Sequence, residues 1–284
     1  MLTKMKHYWP LIKSLQTALL ILTGLAGYVS ARCPVYNLLT IAGLLGSLLL
    51  TASGATILNM VWDRDIDAKM DRTKNRPLPR GLINVDEAWI AGIIISLLGL
   101  FWAATLDLAY TLVIFAGLFI DVVIYTIWLK RKTAWSIVWG GVSGGMPILA
   151  GRVLGTGDID GIGVLFALGI LFWIPTHIMT FSIKYAEDYV AAGVPTFPSR
   201  YGIHKTRVII AISSLLSALS ILTSGLLMDL TIGYLRLIIV LAVGLMGLAL
   251  STMYGASERV NFGLFKYASL FMMTSMFMVI LGAR

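Results

Sequence analysis

LLTIAGLLGSLLLTASGATIL (residues 38–58) runs straight into NMVWDRDIDAKMDRTKNRPLPRG (residues 59–81). The first string carries no charge and is long enough to cross the hydrocarbon core of a bilayer as a helix. The second brings four Asp and six Lys or Arg together, and two prolines close it. Asn59, Asp63, Asp67 and Asp71 recur every four residues. A helix continuing past the membrane edge would therefore stack them in one stripe. Stacked carboxylates repel one another unless cations neutralise them. Arg64, Arg72, Lys74, Arg76 and Arg80 could do so as a solvated interfacial ladder. The alternative is a divalent cation. Mg²⁺ takes one or two carboxylates plus phosphate oxygens, and a diphosphate held through Mg²⁺ needs acids at this spacing with Lys and Arg nearby. Asn59 adds a neutral oxygen one turn deeper. Pro77 and Pro79 end the helix and are expected to fold Arg76 and Arg80 back toward the acids. Asp65 points to another side, and Asp71 lies where the helix must end.

The rest of the chain has the same character. Of 284 residues, 58% are apolar and 13% charged, about half the charge of an ordinary soluble domain. Apolar stretches lie at roughly 11–31, 38–60, 88–106, 109–129, 134–154, 161–183, 207–227, 230–253 and 264–282. They predict an all-α, polytopic membrane protein of nine spans forming one domain over residues 1–284. The first stretch spans fully and lacks a small-x-small cleavage pattern, so it does not read as a signal peptide. Of the 22 Lys and Arg, 18 fall on or next to one set of loops: the N-terminus, 61–87, 130–133, 184–206 and 254–263. The positive-inside rule makes that side cytoplasmic and puts the C-terminus outside, in what reads as a cell membrane. The net charge of +8 thus orients the protein in lipid and gives no reason to expect nucleic acid. Cys33 is the single cysteine, which excludes an internal disulfide.

Two of the basic loops exceed twenty residues, while the connections on the other side are short. Long loops carry function. They follow spans 2 and 6, a hint of internal duplication. The second one contains IKYAEDYVAAGVPTFP (183–198), with Lys184 and Asp188 one turn apart and Glu187 beside them. A third basic group, YTIWLKRK (125–132), offers the hydroxyls of Tyr125 and Thr126 followed by Lys130 and Arg131. Lys130, Arg131 and Lys132 also suit a plain membrane anchor. Gly140, Gly141, Gly144, Gly145 and Gly151 suit close helix packing. His177, two residues after Pro175, is ionisable inside a span. It is either a functional group or a neutral histidine bonded within the bundle. Arg152 is expected at the outer head groups. A transporter would place its ionisable groups near the bilayer midplane, whereas here nine of the fourteen acids lie at the edge of the basic loops and four at the other edge. Asp121, within a span, is the exception.

N-x-x-x-D-x-x-x-D ahead of NRPLP resembles the motif of the UbiA-type intramembrane prenyltransferases. With YTIWLKRKTAWSIVWGGVSGGMPILAG and THIMTFSIKYAEDYVAAGVPTFP it is most similar to the branch of that family that farnesylates haem. The resemblance covers about residues 8–205. It implies a nine-helix bundle with its active site at the cytosolic loops 59–81 and 183–200. It further implies Mg²⁺ held by Asn59, Asp63, Asp67, Glu187 and Asp188. Arg76, Tyr125, Lys130, Arg131 and Lys184 would bind the diphosphate of farnesyl diphosphate, and His177 would contact haem B. The other acceptors it allows are a quinone precursor or a lipid glycerol phosphate.

Overall fold

The computed structural model describes residues 8–31, 37–254 and 257–283. His7 and Cys33 lie outside them. Among the described residues there is no strand, and nine helical segments are long and apolar enough to cross a membrane. The chain is a multi-pass membrane protein. A 3₁₀ turn at Trp9–Ile12 leads to α1 (Ser14–Ser30). Then come α2 (Leu38–Trp62), the short α3 (Arg64–Lys69), α4 (Val85–Ala104) and α5 (Leu108–Phe119). A π-helical segment, Ile120–Leu129, prolongs α5. Next are α6 (Ser136–Thr156), α7 (Gly161–Lys184), the short α8 (Ala186–Ala191) and α9 (Phe197–Tyr201). Last are α10 (Ile203–Leu227), α11 (Ile232–Met253) and α12 (Glu258–Gly282).

The expected spans match within a few residues, although α10 and α12 begin four to six residues earlier than the apolar runs suggest. Their first turns carry His204, Lys205 and Arg259, which apolarity alone assigns to a loop. The expectation of one helix from α2 to Asp71 is corrected. The regular helix stops at Trp62, α3 covers only Arg64–Lys69, and Met70 is extended with φ −100° and ψ 127°. The second long loop has the same plan, with a break at Tyr185 and a helix of equal length, α8.

α1 packs on α6, α2 on α4, and α7 on both α6 and α10. Small residues permit these crossings. A Cβ on Gly151 would fall 1.9 Å from the Gly24 carbonyl oxygen, and one on Gly27 2.0 Å from that of Ile148. Backbone therefore lies against backbone where α1 meets α6. Gly140 differs: a Cβ there would make only ordinary contact with the Tyr125 ring. Large apolar side chains on the outside, such as Phe101, Leu108 and Val243, form the face presented to lipid.

Arg152 is not at the head groups. It is buried, donating to Asp160 at 2.6–2.9 Å and to the Ser30 carbonyl at 2.7 Å. It ties α1, α6 and the start of α7 together at the end opposite the acids. Burial of a guanidinium is tolerable because its donors are met.

Candidate active site

The acid stripe survives the break in α2. The Asp63 N–H donates to the Asn59 carbonyl at 2.9 Å, and the Asp67 N–H to the Asp63 carbonyl at 2.8 Å. Asn59, Asp63 and Asp67 thus stay one turn apart, and they are only 8%, 7% and 5% exposed. Asp71 falls outside the stripe; its carboxylate is exposed and paired with Lys74.

Each buried acid meets one cation. Arg76 returns to Asp67, Nη1 to Oδ2 at 2.7 Å, and the Thr73 hydroxyl donates to the Asp67 carbonyl at 3.0 Å. Lys130, just past the π segment, pairs with Asp63. Arg131 turns the other way. It grips Asp65 at 2.7 and 2.8 Å and the Trp62 carbonyl at 2.6 Å. That hydrogen bond holds the Asp65 carboxyl below the usual range. Arg80 is exposed and makes no ion pair with a described acid.

Asp188 joins the two long loops, accepting from the backbone N–H groups of Asp71 and Arg72 at 3.3 and 3.4 Å. Below it, Ile66 and Met70 pack with Ala192, Val194 and Tyr189. Lys184 and Glu187 are exposed, and the Lys184 ammonium lies 4.0 Å from the Phe262 ring centroid.

Two cavities meet at this cluster. The larger, of about 960 Å³, is lined by Asp63, Asp67, Arg72, Arg76 and Lys130 on its charged side. Phe181, Phe265 and Met273 contribute to its apolar side. The smaller, of about 350 Å³, lies among Leu48, Ala55, Ile114, Gly117 and Met146. Lys13, Asp63, Tyr125, Lys130 and His177 line both. Arg131, Lys184, Glu187 and Asp188 line neither. The His177 ring is stacked between Trp173 and Phe265, with centroids 4.7 and 4.3 Å away. Its Nδ1 faces the Ser269 hydroxyl at 3.1 Å, which leaves Nε2 without a partner among the described residues.

The oxygens of the stripe suit a hard cation. Asn59 Oδ1 and Asp63 Oδ1 are buried with no hydrogen-bond partner among the described residues, and such orphans require an explanation. No three His, Cys, Asp or Glu side chains converge into a metal cage among the described residues. Mg²⁺ does not need one, because it keeps waters and phosphate oxygens in its shell.

Lys13 and Asp121 were not among the residues that the spacing picked out. Lys13 ends the 3₁₀ turn with a left-handed φ of 44° and lines both cavities. Asp121 accepts a hydrogen bond from Asn59 at 2.7 Å. Each is a lone charge inside an apolar run, and that is the signal that could have found them.

A bundle of membrane helices enclosing an acid-and-cation cluster, with an apolar pocket joined to it, defines an intramembrane transferase of hydrophobic groups. The chain belongs to the UbiA prenyltransferase family, whose model matches residues 20–274. It is 38% identical over 239 residues to the protoheme IX farnesyltransferase of Archaeoglobus fulgidus, covering 83% of this chain and 82% of that one. It is 35% identical over 272 residues to the enzyme of the same name from Pyrobaculum islandicum, covering 93% and 95%. Among solved structures, a digeranylgeranylglyceryl phosphate synthase superposes with a TM-score of 0.82 at 20% identity, covering 99% of both chains. A UbiA homologue from Archaeoglobus fulgidus bound to GPP and Mg²⁺ superposes with a TM-score of 0.68 at 18% identity, covering 97% of this chain and 99% of that one. These two likenesses concern the fold.

Proposed function

We propose that the protein transfers the farnesyl group of farnesyl diphosphate to a vinyl group of haem B, giving haem O. The observation that carries this reading is the meeting of a large and a small cavity at the Asp63–Lys130 pair. The relatives named protoheme IX farnesyltransferase supply the acceptor.

Asn59, Asp63, Asp67 and Asp188 would hold Mg²⁺, with Glu187 beside them at the rim. When bound, the metal neutralises charge growing on the diphosphate leaving group. Arg76 and Lys130 add fixed positive charge inside the cavity, where it acts at low dielectric, and the Tyr125 hydroxyl adds a donor. Exposed Arg131 and Lys184 supply the outer field that draws the anion in. The C–O bond breaks to an allylic farnesyl cation and free diphosphate, and the faces of Tyr125, Phe181 and Phe265 suit such a cation. A haem vinyl carbon forms the new C–C bond. Water then adds to the resulting cation and loses a proton, leaving a hydroxyethylfarnesyl group. His177 presents Nε2 to the haem iron, and its neighbours Trp173 and Phe265 keep the ring from turning. The charged loops make this face cytoplasmic in the cell membrane, with the N-terminus inside and the C-terminus outside. The prenyl tail lies in the apolar pocket among the helices.

The test is direct. Purified protein in lipid or detergent is incubated with Mg²⁺, farnesyl diphosphate and haem B, and the haem is analysed by mass spectrometry. A haem heavier by one farnesyl and one hydroxyl group is expected, its vinyl converted to hydroxyethylfarnesyl. Unmodified haem, together with prenylation of a phenolic acid or a glycerol phosphate lipid, overturns the acceptor.

A further inference from the structure

An asparagine amide has one end that attracts a cation and one that repels it. In Asn59 the two ends have different fates. Nδ2 donates to Asp121 Oδ2 at 2.7 Å, while Oδ1 is buried with no protein partner. Without the carboxylate, rotation about the last side-chain bond would exchange the two ends at little cost. With it, the exchange sets an amide oxygen against a carboxylate oxygen.

The backbone around Asp121 makes this contact compatible with the ion pair beside it. Asp121 and Lys130 are nine residues apart on one helix. At 3.6 residues per turn that is about two and a half turns, which puts them on opposite faces. Residues 120–129 wind more slowly, and the Lys130 N–H bonds the Tyr125 carbonyl five residues back at 2.8 Å. Nine residues then make close to two turns, and both side chains face α2. Asp121 meets Asn59 and Lys130 meets Asp63. π segments of this kind cluster at functional sites.

We infer that Asp121 is a positioning residue that fixes the Asn59 amide with its oxygen turned to the cation. The inference rests on the Mg²⁺ reading of the acid stripe. It assigns a task to a carboxylate in the middle of a span that the proposed chemistry leaves unused. It also states what the contact is for: selecting the sign of the dipole that faces the metal, as carboxylates do for ligating histidines.

The test uses Mn²⁺ with inorganic pyrophosphate as the probe. Binding to the full-length purified protein is read by electron paramagnetic resonance, with thermal unfolding measured alongside. Wild type is expected to bind. Asp121→Asn keeps the shape but lets either amide end face Asn59, and it should weaken Mn²⁺ binding about 10- to 100-fold, the range for lost orienting partners. The exchange variant Asn59→Asp with Asp121→Asn restores one acid and one amide with a fixed direction, and should recover most of that loss. Unchanged Mn²⁺ affinity in Asp121→Asn overturns the inference and leaves the metal site standing. Failure of wild type to bind Mn²⁺ with pyrophosphate overturns the metal reading itself. Should Asp121→Asn not fold, the exchange variant decides: wild-type-like binding supports the inference, and folded protein without Mn²⁺ binding refutes it.

Discussion

Arg76 Nη1 lies 2.7 Å from Asp67 Oδ2, although the chain between them leaves a helix and makes two turns. The pair exists because Met70 breaks α3 and the Thr73 hydroxyl clamps the returning loop to the Asp67 carbonyl. The loop therefore delivers positive charge to a buried acid and is part of the site's architecture.

Asp63→Ala and Asp67→Ala should each reduce prenyl transfer at least about 100-fold, the scale of losing one fixed electrostatic partner of the reacting charge. Product is measured by mass spectrometry and folding by thermal unfolding. Wild-type turnover in the double variant would remove the site.

Adjacent cations should separate in effect. Lys130 faces the stripe and both cavities, whereas Arg131 serves the exposed Asp65. Lys130→Gln should lower turnover about 100-fold. Arg131→Gln should lower it only a few-fold and mainly at low ionic strength, because it contributes an outer field that salt screens. Equal losses in the two variants would contradict this division.

His177 should give haem an imidazole signature. Haem B added to wild type is expected to show a visible spectrum typical of axial histidine, and His177→Leu should lose it. A spectrum indifferent to the substitution would return His177 to a packing role between Trp173 and Phe265.

The Arg152–Asp160 contact predicts a pH dependence of stability. The Arg152 hydrogen bond holds the Asp160 carboxyl below its ordinary range. Its contribution is therefore full above the unfolded value, roughly 3.9, and is lost as pH falls through the lower folded value. The melting temperature of Asp160→Asn should lie below that of wild type at neutral pH, and the two should converge in acid. Arg152→Met should cost about 1–3 kcal/mol at neutral pH, since it strands the Ser30 carbonyl.

The spans were legible because lipid leaves only one way to satisfy a backbone, and twenty apolar residues announce it. The stripe of Asn59, Asp63 and Asp67 was legible from its spacing, and Arg76 from the prolines behind it. The end of the stripe was not. Nothing in KMDRT states that Met70 is extended, because the reason is its packing against Ala192 and Val194 from a distant loop. Arg152 was misplaced for the same reason: its partners Ser30 and Asp160 become neighbours only when α1, α6 and α7 assemble. Lys13 and Asp121 stood out as charges in greasy surroundings, but their direction depends on a left-handed residue and a widened helix.

That widened helix has a mechanical meaning. Above Ile120 the rotation of α5 is dictated by what it shows to lipid; below it, by two polar rungs to α2. A uniform helix would force one choice on both ends. Nearly two surplus residues of winding uncouple them, so sequence drift on the greasy half need not turn Lys130 away from its acid, and deleting a single residue between 122 and 124 should disengage the lower half alone.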